Sequence, residues 1–175
     1  MSLFPTLTRM WLTRSVQPFR FYNEADQRLR FSHCEGLGLY VHIPFCRSLC
    51  NFCPYCKVSY SKDLCDRYID ALIQEIHLVG GQHPGKKEAT SLYFGGGTPA
   101  LAADRLGEII AALQQHFTIT QGIGVELHPA DVTPPLLRTL KAAGVTKISI
   151  GIQSFQPKFQ QLLGRPGVSA EALRR

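Results

Sequence analysis

The chain has 175 residues, 45% hydrophobic and 18% charged, the profile of a globular fold with one sizeable core. No apolar run approaches the roughly 18 residues of a membrane-spanning helix, and the start lacks the continuous apolar stretch of a secretory signal. The net charge of +6 sits on scattered residues apart from Lys86-Lys87 and Arg174-Arg175; without a basic stripe interleaved with aromatics, nucleic-acid binding has no support, whereas an anionic small-molecule substrate suits the charge.

Residues 1–36 show no clean period. Phe4, Leu7, Met10, Trp11 and Phe19 are spaced to cover one face of a short helix, and three arginines with no acid before Glu24 make the segment basic. It has a faint likeness to an organelle transit peptide, but is read here as a short basic arm packing on the domain.

From Leu37 the pattern alternates. Leu39, Val41 and Ile43 mark a strand over Leu37 to Ile43, and a cysteine-rich loop follows. Leu64, Tyr68, Leu72, Ile76 and Val79 recur at helical spacing, predicting a helix from about Lys62 to Val79 that ends at Gly80-Gly81. Ser91 to Phe94 is a short strand running into Gly95-Gly96-Gly97. The next helix, about Ala103 to His116, buries Leu106, Ile109, Ile110 and Leu113. A third strand spans Gly122 to Leu127. Thr133 as N-cap, Pro134 at the first helical position and Gly144 after the last predict a helix through Ala143. Lys147 to Ile152 is the fourth strand, followed by a short helix from about Pro157 to Leu163.

Strands alternating with helices of ten or more residues imply βαβ units and a parallel sheet, hence an α/β fold. Ligands of such sheets gather at the carboxyl ends of the strands. Every chemically suggestive motif falls there: the cysteine loop after the first strand, Gly95-Gly96-Gly97-Thr98 after the second, Glu126 near the end of the third, Gln153 after the fourth.

Cys46, Cys50 and Cys53 are spaced CxxxCxxC on the loop leaving the first strand. A closed structural zinc site or an electron-transfer iron–sulfur cluster wants four ligands. A [4Fe–4S] cube held by three thiolates leaves one iron open to an outside ligand, which is an argument for catalysis. The competing reading is a zinc site that takes Cys56 as its fourth ligand. Four of the six cysteines lie between Cys46 and Cys56, a crowding that suits metal ligation in a reducing cytoplasm better than a secreted disulfide framework. Cys34 and Cys65 are read as buried free thiols.

The glycine-rich turn lets a ligand approach the backbone, whose N–H and C=O groups can bond polar atoms; a tight turn needing positive φ is the plainer alternative. It lacks the Lys-Ser/Thr ending of a nucleotide-phosphate loop. Glu126 stands among apolar strand residues and calls for a ligand or a basic partner, since burying an unpaired carboxylate is costly. His42 beside the cysteine loop is read as a satisfied core histidine.

CxxxCxxC, together with YVHIPFC, Phe52, YFGGGTP at Tyr93 to Pro99, GIQSF at Gly151 to Phe155 and LGR at Leu163 to Arg165, resembles the radical S-adenosylmethionine (SAM) superfamily. Within it, the motifs resemble the oxygen-independent coproporphyrinogen III oxidase family, from about Leu37 to Arg165. The resemblance implies a [4Fe–4S] cluster on Cys46, Cys50 and Cys53, with SAM on the open iron. It places Gly96, Gly97 and Thr98 against the methionine amino group of SAM, and Phe52 near its adenine. Tyr40, Glu126, Gln153 and Arg165 match SAM-contacting positions, for the last two including a second SAM that some members bind. Phe52 and Tyr40 read equally as a packed aromatic and an alternating strand residue, Glu126 as half of an internal salt bridge, Arg165 as surface charge.

The resemblance further implies a radical SAM oxidoreductase of porphyrin biosynthesis, coproporphyrinogen dehydrogenase-like and cytoplasmic. Its substrate is an anionic tetrapyrrole and its electron donor a flavodoxin or ferredoxin, with no membrane or nucleic-acid partner. Relatives with similar motifs open the haem ring anaerobically, transfer methyl groups, or act as haem-binding chaperones. A zinc-structured module is the remaining alternative. This sequence departs from the family at Cys53-Pro54-Tyr55-Cys56, where relatives carry a CxC. The expected organisation is an N-terminal arm over 1–36 and a radical SAM partial TIM barrel over 37–175. About four strands are present, and the barrel is incomplete at the C-terminus, a portion that is inactive alone if its missing strands are required.

Overall fold

The computed structural model describes residue 34 and residues 36–164. The expected N-terminal arm and Arg165 therefore lie outside the described residues, apart from the arm's last few positions. In chain order the elements are β1 (Leu37–Ile43), β2 (Phe45–Cys46), β3 (Val58–Ser59), α1 (Lys62–Gly80), β4 (Lys87–Gly96), α2 (Leu106–His116), β5 (Phe117–Ile119), β6 (Ile123–Leu127), α3 (Pro134–Ala142), β7 (Lys147–Ile150) and α4 (Pro157–Leu162).

The main sheet runs β1-β4-β6-β7, every pair parallel, with β5 also pairing with β4. Spatial order follows chain order, so each crossover steps the same way and the strands wind in one direction. A doubly wound sheet would reverse its order partway; a barrel wall does not. The expected α/β partial barrel is therefore what the chain folds into.

Register explains the two faces. Leu39, Val41 and Ile43 of β1 lie beside Leu92, Phe94 and Gly96 of β4, and Phe94 lies beside Val125 of β6. Ile43, Leu92, Phe94, Val125 and Leu127 are buried, together with Ile69 of α1 and Leu106 and Ile109 of α2. That face is the hydrophobic core under the helices. The opposite face carries Tyr40, Tyr93, Gly124 and Lys147 in one row and His42, Gly95, Glu126 and Ser149 in the next. It is the lumen face, and its glycines make room for rings. A Cβ on Gly95 would stand 3.0 Å from the Tyr40 ring, and one on Gly124 2.7 Å from that of Tyr93. Tyr40 and Tyr93 stack at 6.4 Å, and the Tyr93 hydroxyl reaches Ser149 Oγ at 3.0 Å.

The helices form where capping and apolar spacing coincide. Ser61 accepts from the Leu64 amide at the start of α1, and Thr133 accepts from Leu136 with Pro134 inside the first turn of α3. Arg105 ties α1 to α2 by reaching Asp70 Oδ1 at 2.7 Å and the Asp66 carbonyl at 3.1 Å while also pairing with Glu108.

Several boundaries differ from expectation. The second predicted strand is longer, Lys87–Gly96, because its first residues find a partner in β5, a three-residue strand too short to show a period. The helix expected from Ala103 starts at Leu106, since Pro99 opens a 3-10 turn over Pro99–Ala102. The fourth strand ends at Ile150, two residues early, for a reason found at Gln153 below. Cys65 is buried on α1 as expected, but Cys34 is exposed: it precedes β1, where none of the described elements covers it.

Candidate active site

At the carboxyl edge of the sheet lies a cavity of about 250 Å3. Its lining includes Cys46, Cys50, Cys53, Phe52, Gly96, Gly97, Thr98, Glu126 and Gln153. Nine of the candidate residues thus share one cavity, contributed by the ends of β1–β2, β4, β6 and β7. Tyr40 does not line it, because its position in β1 sets it one row deeper on the lumen face. Desolvation, and then the nearby Glu126 charge, push its phenol pKa up.

The cysteine loop is pinned at both ends. Phe45 pairs with Val58 and Cys46 with Ser59, a two-residue parallel ladder that closes the loop's neck. Inside it, Lys57 Nζ donates to the carbonyls of Cys50 at 2.8 Å and Cys53 at 2.6 Å. His42 Nε2 lies 2.9 Å from the Cys56 carbonyl. A carbonyl only accepts, so Nε2 carries the proton and Nδ1 accepts from the Tyr40 hydroxyl at 3.2 Å. His42 therefore acts as a strut between β1 and the loop, in keeping with its reading as a satisfied histidine. Tyr68 on α1 holds the same point by donating to the His42 carbonyl at 2.7 Å.

The glycine turn offers less than its sequence suggests. The Gly97 amide is donated to Ile43 O at 2.7 Å and the Thr98 amide to Phe45 O at 2.7 Å, so neither N–H is free for a ligand. What the turn can offer from these residues is carbonyl oxygen, an acceptor that suits an ammonium and not a phosphate. Gly96 has φ +112, a backbone that favours glycine, and a Cβ there would stand 2.7 Å from the His42 ring.

Gln153 is the one described non-glycine residue with positive φ, at +62. Ser154 N–H closes onto the Ile152 carbonyl at 2.8 Å, a γ-turn centred on Gln153 that ends β7 and directs the chain into the cavity wall. A non-glycine side chain held there costs about 1–3 kcal/mol, strain that concentrates at functional sites. Gln153→Gly is therefore expected to raise unfolding stability by about 1 kcal/mol in urea titration while removing the amide from the cavity. No gain in midpoint would show that the turn is unstrained.

Electrostatically the cavity is mixed. Burial pushes the Cys46 thiol pKa up and a hydrogen bond from Thr98 pulls it partway back; cation binding would displace that proton. Glu126 forms none of the ion pairs among the described residues.

The donor set bears on which metal group fits. Among the described residues no three His, Cys, Asp or Glu side chains are grouped to hold one metal ion. Thiolates on one zinc sit about 2.3 Å from a common point, whereas a cube puts each cysteine on a different iron and its ligands ring a volume. Three thiols around one cavity fit the cube. Cys56 is exposed and does not line the cavity, contrary to the zinc reading that needs it as a fourth ligand.

Among the lining residues that the sequence analysis did not single out are three charged ones: Arg47, Lys57 and Asp131. Lys57 had a signal, a cation four residues beyond Cys53 at the end of a tight loop. Arg47 and Asp131 had none, because they meet across 84 positions of sequence.

Comparison with known proteins agrees with this arrangement. The Radical SAM superfamily matches residues 40–175. The oxygen-independent coproporphyrinogen III oxidase of Escherichia coli (strain K12) is 36% identical over 137 residues, 74% of this chain and 29% of that protein. The enzyme of the same name from Bradyrhizobium diazoefficiens is 34% identical over 132 residues, 73% of this chain and 29% of its own length. The heme chaperone HemW of Lactococcus lactis is 32% identical over 129 residues, 72% of this chain and 33% of that one. The solved structure of coproporphyrinogen III oxidase (HemN) from Escherichia coli superposes with a TM-score of 0.70 at 32% identity, covering 79% of this chain and 32% of the other. The chain thus spans about three-tenths of the length of these curated relatives. A match from residue 40 to residue 175, on a parallel sheet wound like that of a solved member, makes this chain a member of the Radical SAM superfamily.

Proposed function

We propose that the chain forms the cluster- and SAM-binding part of a radical SAM oxidoreductase acting on an anionic tetrapyrrole. The reading is supported above all by one cavity that brings Cys46, Cys50 and Cys53 together with the Gly96–Gly97–Thr98 turn, Glu126 and Gln153. In this reading the three thiolates hold a [4Fe–4S] cluster. When bound, it supplies one-electron reduction of the SAM sulfonium, whose C–S bond breaks to methionine and a 5′-deoxyadenosyl radical that takes a hydrogen atom from substrate.

The chain's own residues do the positioning. Lys57 and the β2–β3 ladder fix the loop that carries the thiols. The carbonyl-bearing glycine turn and the Glu126 carboxylate accept hydrogen bonds from the SAM ammonium. Gln153 presents its amide from a strained turn and Phe52 packs near the adenine, while Tyr40 and Arg165 enter the SAM-binding set on family resemblance alone. The electron comes from a flavodoxin or ferredoxin, and the setting is the cytoplasm. The relatives named coproporphyrinogen III oxidase support the tetrapyrrole; likeness to a heme chaperone supports a second reading, in which the same motifs bind haem or a cluster without turnover.

The test is anaerobic reconstitution with iron and sulfide, followed by SAM and dithionite. Formation of 5′-deoxyadenosine is the expected result. A cluster that leaves SAM intact would favour the chaperone reading, and zinc without iron would overturn both.

A further inference from the structure

We propose that Asp131 is a ligand-binding residue of this cavity, holding a hydroxyl or ammonium donor of the bound nucleoside–amino-acid cofactor, with Arg47 as the residue that orients it. The inference rests on the SAM-binding reading above and extends it to a residue pair whose identities none of the motifs specifies.

Asp131 ends a short 3-10 turn, Pro129–Asp131, just past β6. Its side chain is 10% exposed. One oxygen, Oδ1, pairs with Arg47 Nη1, which joins the β6 loop to the cysteine loop one residue after Cys46. The other, Oδ2, is the single buried side-chain polar atom among the described residues without a hydrogen-bond partner. Buried carboxylate oxygens are normally satisfied, and one left open calls for a donor.

The backbone donors of its own turn are already used. The Ala130 amide goes to His128 Nδ1 at 3.1 Å, the Asp131 amide to the His128 carbonyl at 2.9 Å and the Val132 amide to the Pro129 carbonyl at 3.3 Å. Lys57, the other cation lining the cavity, is held by the Cys50 and Cys53 carbonyls. What fills the cavity can supply the missing donor. With Glu126 in the same lining, two carboxylates suit an occupant rich in donors, such as a cation bearing hydroxyls, better than a phosphate. SAM offers two such donors, its ammonium and its ribose diol. Arg47 holds Oδ1 and leaves Oδ2 unpaired, and it joins the carboxylate to the loop beside Cys46.

The experiment is equilibrium dialysis of SAM against cluster-loaded protein, with iron content and melting temperature recorded for every variant. Asp131→Asn preserves shape but weakens the acceptor, and about tenfold weaker SAM binding at unchanged iron content is expected. Arg47→Gln keeps the carboxylate, so a smaller loss is expected. A 2′,3′-dideoxyribose analogue of SAM separates the two donors. If the Asn penalty vanishes with the analogue, the diol is the partner; if it persists, the ammonium is. Binding within twofold of wild type in Asp131→Asn overturns the proposal. So does an equal loss of affinity and melting temperature in both variants, which would make the pair a structural latch only. Should Asp131→Asn fail to fold, Asp131→Ser gives the same ratio. A wild-type chain that carries a cluster yet retains no SAM overturns the SAM-binding reading and this one with it, whereas normal wild-type binding with an unaffected Asn variant overturns only this one.

Discussion

Gly97→Ala is expected to destabilise the chain by about 3 kcal/mol, although it adds a single methyl group. The site of collision decides this. A Cβ on Gly97 would lie 2.5 Å from the carbonyl oxygen of Phe45 and 2.8 Å from the carbonyl carbons of Phe45 and Pro44. These are backbone atoms, which cannot swing aside as a side chain would. They belong, moreover, to the segment that Gly97 and Thr98 hold with two 2.7 Å amide hydrogen bonds. Separating the strands enough for the methyl group stretches both bonds and shifts the start of the cysteine loop. Gly107 provides the contrast. It lies in the first turn of α2, and a Cβ there meets nothing within 4 Å. Gly107→Ala is expected to stabilise by about 0.5–1 kcal/mol through helix propensity alone. Urea unfolding of the two variants against wild type checks the pair. A Gly97→Ala midpoint matching the wild type would mean that the turn and the loop are not packed as described.

The same geometry shows why some of the fold was legible in the sequence and some was not. The strand over Leu37–Ile43 matched to the residue because Leu39, Val41 and Ile43 alternate with Tyr40 and His42, and that alternation is what one buried face imposes. The start of α3 was legible because Thr133 and Pro134 act locally, within one turn. β2, β3 and β5 were not, since two or three residues carry no period and each exists only through a partner distant in sequence. The site divides in the same way. Residues whose chemistry lies in a short motif, the three cysteines and the glycine turn, were visible at once. The turn's use of its own N–H groups was not, because it depends on β1 lying alongside β4. Asp131 and Arg47 are the extreme case: each alone is an ordinary surface charge, and only the fold makes one of them a buried carboxylate with an open oxygen.

Cysteine replacement separates the metal readings with the largest effect. After anaerobic reconstitution, Cys46→Ala, Cys50→Ala and Cys53→Ala are each expected to cut bound iron from about four per chain to near zero. Cys56→Ala should retain wild-type iron. The asymmetry follows from placement: the first three line the cavity, whereas Cys56 is exposed and contributes to the site through its backbone, whose carbonyl receives His42 Nε2. Removing the Cys56 side chain leaves that hydrogen bond in place. A zinc centre would behave differently, because four thiolates then share one ion and Cys56→Ala would cost as much metal as the other three. Stability of the metal-free protein adds a second reading. Cys50 and Cys53 sit half-buried on a loop, not in the core, so their replacement should shift the apo unfolding midpoint little. Cys65→Ser, buried at 2% exposure on α1 among Ile69 and its neighbours, should lower it clearly while leaving iron unchanged. Iron loss without destabilisation at the cavity, and destabilisation without iron loss in the core, would together assign the thiols their separate roles. Iron that survives Cys50→Ala would remove the three-thiolate cluster from this cavity.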